Sequence, residues 1–450
     1  MKKTNTQQMP IWLARTIVAT ILLVVAVMPF HAFISTWGGA TIGPLWLWKS
    51  WKELLLLVVG MITLLWVIVT PAIRRDLARQ KIVLAVSGFV VTVMLVTALN
   101  AQQNDATATA AGLAMTLRYI AICGLGYLVM KYSDGFDLSR YKKWFIGVAG
   151  GVAVLGVLQA TILPLNTLSN FGYDKETTIA PYTLVDENQN APRAFATQSG
   201  PNDFAAFLLL PLALTLLLGY RRRPWLIVSG LLLLGLFFSS SRSAWLGAVA
   251  MIAVLAVLLW GKRFFLTPRG LVVLASGLMA AVLITAAAVS IPSVRLQVFH
   301  SSPGDSGLFE GSTAAHWQAS ADGLLRVADD PLGCGAGCAG PASSYSDEPR
   351  ISENYYIQLA EEYGVIGLAF WLMTVVLICI GLYRSRSRML PAVLLASFVG
   401  LSVIGVFLHV WADDPVSLTW WALTGLVIGY NDRNIWAKSR KSKVSSRSKT

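Results

Sequence analysis

The residues of this chain that could do chemistry gather in a few polar stretches. Arg242 stands in Ser239-Ser240-Ser241-Arg242-Ser243, with apolar residues on both sides. A planar guanidinium among hydroxyls is suited to gripping a phosphate through paired, charge-assisted hydrogen bonds. The competing reading is an arginine that extends its charged head toward water at an interface. Arg193 opens a second stretch, Arg193-Ala-Phe-Ala-Thr-Gln-Ser-Gly-Pro-Asn202, which leads straight into an apolar run. Two arginines approaching one site could bracket a diphosphate, and Arg295, just after another apolar run, is a weaker third candidate. Glu353, in Ser352-Glu353-Asn354-Tyr355-Tyr356, and His316 lie in one long polar segment. Either could take a proton from a hydroxyl, although a lone loop histidine is more often simply solvated. Asp329-Asp330 and Asp413-Asp414 are each followed by proline and read as turn or cap carboxylates. His31 and His409 read as packing or interface residues. No histidine stands at zinc-ligand spacing, and nothing resembles a nucleotide-binding loop. No metal or other cofactor is expected, so the energy for any reaction must reside in the substrate.

The elements that must position these residues are membrane helices. Of 450 residues, 55% are hydrophobic and 13% charged, against about 25% charged in ordinary soluble domains, and the mean hydropathy is +0.62. Runs long enough to cross a bilayer recur at about 11–34, 54–70, 82–99, 113–130, 144–163, 203–219, 225–238, 244–260, 270–291, 363–382, 390–410 and 416–430. A crossing needs roughly 20 apolar residues. The expected fold is an all-α polytopic membrane protein with about 12 transmembrane helices: a single membrane domain over 1–430, then a basic tail over 431–450. The first run lacks a convincing cleavage site and reads as a retained helix. Trp46, Trp48 and Trp51 read as an interfacial aromatic belt.

The net charge of +13 suggests nucleic acid until it is divided by side. With the turns placed alternately on two faces, one face receives 27 Lys/Arg and four acids, the other 9 Lys/Arg and 19 acids. The positive-inside rule then puts both termini in the cytoplasm of a cytoplasmic-membrane protein. The basic tail reads as a topology anchor near anionic lipid, with no nucleic-acid partner. Two outward loops are long, about 164–202 and 292–362, and long loops usually carry function or are disordered. Spacing over Ala314 to Val327 fits an amphipathic helix with Trp317, Leu324 and Leu325 near one side, which predicts a partly helical cap on the outer surface. Cys334 and Cys338, in Cys-Gly-Ala-Gly-Cys, could bridge, whereas Cys123 and Cys379 lie in apolar runs.

Four motifs in order carry a resemblance. They are Arg193 to Ala205, then Ser241-Arg242-Ser243-Ala-Trp-Leu-Gly, then Asp330-Pro-Leu-Gly-Cys-Gly-Ala-Gly337, then Glu353-Asn354-Tyr-Tyr-Ile-Gln358-Leu with Glu362-Tyr-Gly364-Val-Ile-Gly367. Together they resemble the signature of the O-antigen ligase and polymerase superfamily, over about Arg193 to Leu368. The resemblance implies a GT-C-like, inverting, metal-independent glycosyltransferase with a long outward loop between helices 9 and 10. Its donor would be an undecaprenyl-diphosphate-linked glycan and its acceptor a hydroxyl on a glycan, lipid or protein. It implies that Arg193 and Arg242 hold the diphosphate, supported by Asn202 and Asn354. The chain departs from the family where His-Asn is usual and Glu353-Asn354 stands, and His316 occupies a region where the family often has arginine. Glu353 is expected to act as base with its pKa raised by the apolar rim, His316 orienting it or touching the donor phosphate.

Other classes make different demands. A protein O-oligosaccharyltransferase would share these motifs and differ only in its acceptor. A lipid-linked glycan transporter would distribute polar residues along helix interiors near the midplane. A scaffold for envelope assembly would leave Arg193 and Arg242 replaceable.

Overall fold

The computed structural model describes residues 8–133, 136, 141–185, 187–261 and 312–447, with six isolated positions between 267 and 290; for 312–314 and 434–447 it describes the backbone alone. Helices fill the apolar runs: α1 Ile11–Val27, α2 His31–Thr41, α3 Leu45–Val69, α4 Pro71–Leu77, α5 Lys81–Leu99, α6 Ala106–Tyr132 and α7 Tyr141–Thr161. A short antiparallel hairpin follows, β1 Leu184–Val185 with β2 Asn188–Pro192. Then come α8 Pro201–Arg221, α9 Trp225–Phe238, α10 Arg242–Trp260, α11 Ser312–Asp329, α12 Tyr355–Arg384, α13 Met389–Gly405 and α14 Asp414–Arg447. Among the described residues, eight helical segments are long and apolar enough to cross a membrane, and α9 and α13 are shorter apolar helices. The chain is a polytopic helical membrane protein. The expected crossing at 270–291 lies outside the described residues but for four isolated positions, and Arg295 and His300 lie outside them.

The largest contacts join α6 to α14, α10 to α13, and α5 to α12, so the bundle is closed by pairings remote in sequence. Glycines make these approaches tight. Gly425 and Gly429 of α14 pack against the backbone of Cys123 and Tyr127 in α6, and Gly247 and Gly400 place α10 and α13 backbone to backbone. Small residues are what allow helices to meet closely where lipid gives them no hydrophobic reason to associate. Trp411, Trp420 and Trp421 are fully buried and stack edge to face beside Phe398. Leu57, Leu64 and Leu65 of α3, Val91 and Leu95 of α5 and Ile227 of α9 point outward instead, a surface suited to lipid.

The helix ends that carry polar motifs are set locally. Asp105 caps α6, its Oδ1 accepting from the Thr107 and Ala108 amides at 2.8 and 2.9 Å. Asn354 caps α12 in the same way, at 2.9 Å from the Tyr356 amide and 3.2 Å from that of Ile357. Pro201 occupies the first turn of α8, where a missing N–H costs nothing. Inside α12, Gly364 adopts φ +69° and breaks the helix. The Val365 amide there donates to the Pro331 carbonyl at 3.0 Å, and a side chain at 364 would meet that segment's backbone.

Candidate functional site

The beginnings of α8 and α14 meet α6 and the end of α13 around a cavity of about 330 Å³. Its wall is built from Met115 and Arg118 of α6, Ser199, Asn202, Asp203 and Ala206 around the start of α8, Pro341, and the 404–414 connection between α13 and α14.

Arg193 stands at the exit of β2 and is tied to this cavity through the lining residue Asn202. Its amide donates to the Thr183 carbonyl at 2.8 Å, and the Ala194 amide to the Phe238 carbonyl at 2.8 Å, which ties the motif to the end of α9. The guanidinium then makes two bonds, Nε to the Ser239 carbonyl at 2.9 Å and Nη2 to Asn202 Oδ1 at 3.0 Å. Ser240 takes φ +53°, which turns the chain sharply so that Arg242 becomes the first residue of α10. Arg193, Asn202 and the turn entering Arg242 are therefore brought together from segments nearly fifty residues apart. The amino end of α10 adds the partial positive charge of an unsatisfied helix terminus, which favours anions.

A histidine–carboxylate pair lies near the lining residue His409, which feels the charge of both its members. His316 is carried by α11, and its Nδ1 lies 3.3 Å from Glu353 Oε2. The amphipathic helix expected over 314–327 is present as α11, with Trp317, Leu324 and Leu325 exposed by 79, 58 and 64%. Its opposite face hangs on the start of α12. Ser320 Oγ donates to the Ser352 carbonyl at 3.0 Å, and Arg326 Nε donates to Glu361 Oε1 at 2.5 Å. Glu353 itself holds φ +54°, a strained left-handed conformation for a residue with a side chain. Asn354 is fixed on both sides, since its Nδ2 donates to the Val406 carbonyl at 2.9 Å.

The electrostatics correct one expectation. The His316 contact draws the Glu353 carboxyl below the ordinary carboxylate range, with burial opposing that effect; the upward shift expected from an apolar rim does not form. His409, which lines the cavity, is pushed down to about 4 by burial and stands neutral at physiological pH. It is a cavity residue, not a packing residue.

The largest departure from the sequence reading concerns Asp413-Asp414 and His31. Asp414 is the hub of a buried ion network. Its Oδ2 lies 3.0 Å from Lys52 Nζ and 3.2 Å from His31 Nε2, and Oδ1 pairs with Arg118. Glu53 Oε1 joins the same group, 3.1 Å from Lys52 and 2.8 Å from Arg118. Four elements, α2, α3, α6 and α14, are thereby locked together behind the cavity. Deleting one partner leaves the others buried and uncompensated, which costs about 3–5 kcal/mol. Lys52→Ala should therefore lower the thermal unfolding midpoint of the detergent-purified protein and its accumulation in membranes. An unchanged midpoint would show that the network holds nothing together.

The Cys334-to-Gly340 loop completes the arrangement. Cys334 and Cys338 form a disulfide. The Gly335 amide donates to the Glu362 carbonyl at 2.8 Å, the Gly337 amide to Glu362 Oε1 at 2.8 Å, and Asn104 Nδ2 to the Cys334 carbonyl at 2.6 Å. Glu362, singled out by its motif, holds this loop onto the start of α12.

Fold and site together define a multi-pass membrane protein with arginine, polar-cavity and histidine–carboxylate elements assembled at one end of its bundle. Residues 227–372 match the family model for O-antigen ligase, a match that supports membership of an O-antigen ligase-like family. The matched stretch contains Arg242, His316, Glu353 and Asn354, while Arg193 and Asn202 precede it. The match points to glycan transfer of the ligase or polymerase type, with a lipid-linked glycan and an acceptor as substrates in general. Comparison with curated proteins gives no match.

Proposed function

We propose that this protein transfers a glycan from an undecaprenyl-diphosphate-linked donor to an acceptor hydroxyl at the outer face of the cytoplasmic membrane, with inversion and without a metal. The observation that carries the reading is one cavity whose lining is tied to both groups: Asn202 bonds Arg193, which braces the turn into Arg242, and His409 stands in the field of Glu353 and His316. The two guanidiniums would hold the diphosphate and offset the charge that develops as the bond from sugar C1 to phosphate oxygen breaks. The acceptor oxygen attacks C1 from the opposite face, so the new glycosidic bond forms with inversion. Its proton passes to the His316–Glu353 pair and then to water, and undecaprenyl diphosphate leaves. Asn202 braces Arg193, and Asn354 fixes the backbone beside Glu353.

The bare apolar side of α11 supports a position at the membrane surface, where a lipid-borne donor arrives laterally. Orientation is tested by single cysteines in an otherwise cysteine-free chain. Labels at Thr177 and Ser344 should react with impermeant reagents in intact cells, and labels at Arg222 and Ser442 should not. The reverse pattern would put the cavity on the wrong side for this reaction. The activity is tested by incubating purified protein with an undecaprenyl-diphosphate-linked oligosaccharide and separate glycan, lipid and peptide acceptors, with products read by mass spectrometry. Transfer to one acceptor with release of undecaprenyl diphosphate is expected; an intact donor with every acceptor would refute the proposal.

A further inference from the structure

The cavity carries more negative charge than diphosphate chemistry needs. Asp203, Asp413 and Asp414 line it, and among the described residues Arg118 is the only Lys or Arg that does. Arg118 is already committed, through Nη1 to Glu53 and Asp414 and through Nη2 to the Ala412 carbonyl at 2.5 Å. Asp414 is further matched by Lys52 and His31. That leaves Asp203 and Asp413. Asp203 Oδ2 accepts from Ser199 Oγ at 2.7 Å. Asp413 Oδ2 is inaccessible and has no hydrogen-bond partner, and the same holds for His409 Nε2. Unmatched polar atoms buried at a cavity wall are costly unless a ligand satisfies them. Asn202, Ser199 and His409 add neutral donors and acceptors, while Met115, Ile404, Leu408 and Val410 supply apolar wall. The volume lies at the lower end of small-molecule sites, about 300–1,000 Å³.

We propose that this cavity seats one sugar ring, neutral or amino-substituted, that Asp413 and Asp203 accept its hydroxyl or ammonium groups, and that the same carboxylates exclude acidic sugars. The inference rests on the glycan-transfer reading and adds which sugars that site admits. A ring seated here touches both halves of the machinery. Asn202 links it to Arg193, and His409 stands in the field of Glu353 and His316. Hydroxyl donors bonding to a carboxylate are among the stronger hydrogen bonds. A uronic acid adds a carboxylate to a site where burial and the neighbouring Asp203 and Asp414 already push the Asp413 carboxyl well above its usual range, so discrimination arises from repulsion as much as from attraction.

The test measures binding without transfer, on the purified full chain in nanodiscs. Saturation-transfer NMR titrations use glucosamine, N-acetylglucosamine and glucuronate. Glucosamine and N-acetylglucosamine should bind, with glucuronate weaker by at least about 10-fold, a difference of about 1.4 kcal/mol. In Asp413→Asn and in Asp203→Asn the ratio should shrink, and in the double variant it should fall to within about 2-fold. Asp203 lies outside the Asp414 network, so its variant stays informative if Asp413→Asn unfolds. Equal binding of glucuronate and glucosamine by the wild type, or an unchanged ratio in both single variants, would overturn the inference. Displacement of glucosamine by a short-chain prenyl-diphosphate-linked N-acetylglucosamine assigns the ring to the donor; displacement only by a saccharide acceptor assigns it to the acceptor. Sugar discrimination without any transfer would count against the function reading alone.

Discussion

Arg242→Ala should abolish measurable transfer, and Arg242→Lys should lower it by about 10- to 100-fold while the protein still inserts and accumulates. Each charge-assisted contact to a phosphate oxygen contributes about 1.5–3 kcal/mol, which is that range of rate. Lysine keeps the charge but loses the fork that grips two oxygens at once, so the conservative change is not conservative here. Arg193 is expected to behave differently. Its guanidinium already spans the Ser239 carbonyl and Asn202 Oδ1, so Arg193→Ala removes an anion contact together with a brace on the turn that aims Arg242. Asn202→Ala removes the brace partner alone and should cost less than Arg193→Ala, about the 0.5–1.5 kcal/mol of one ordinary hydrogen bond. The measurement is initial transfer rate at saturating acceptor with donor concentration varied, beside a thermal melt of each variant. Normal transfer by an Arg193→Ala, Arg242→Ala double variant would remove the diphosphate role from both residues.

The same arginines show what a sequence can disclose. Arg193 and Arg242 stand at polar breaks between apolar runs, where a charge is conspicuous, and the amphipathic period over 314–327 already contains α11. What periodicity cannot show is which distant breaks meet. Asp413-Asp414-Pro415 has the local signature of a helix start, and α14 does begin there; the Asp413 carbonyl accepts from the Ser417 amide at 2.9 Å. The side chain of Asp414 nevertheless belongs to a network whose other members are 296 to 383 positions earlier in the chain. One signal was available: Arg118 falls inside an apolar run, and an ionisable group at such a place needs a partner. That observation demands an acid somewhere without saying where, and only the packing of α6 against α14 supplies the address. Asp203 was hidden for a related reason, because one carboxylate in the first turn of a helix looks like ordinary complementation of the helix terminus.

The proton acceptor follows from the direction of one shift. Glu353 lies below the ordinary carboxylate range because His316 contacts it, so at neutral pH it is ionised and a poor base toward a hydroxyl. An imidazole is the side chain best suited to proton transfer near neutral pH, and a carboxylate at 3.3 Å orients it. His316 is therefore the group expected to take the proton, with Glu353 as its positioning residue. This reverses the assignment that motif position alone suggests. His316→Ala should lower transfer by about 10²–10⁴-fold, the range for loss of a general base. Glu353→Gln should cost less, because the amide keeps an oxygen that can still orient the imidazole. The carboxylate-base alternative predicts the opposite set: Glu353→Gln inactive, Glu353→His partly restored, and His316→Ala milder. Near-normal rates in His316→Ala with a dead Glu353→Gln would return the role to the carboxylate.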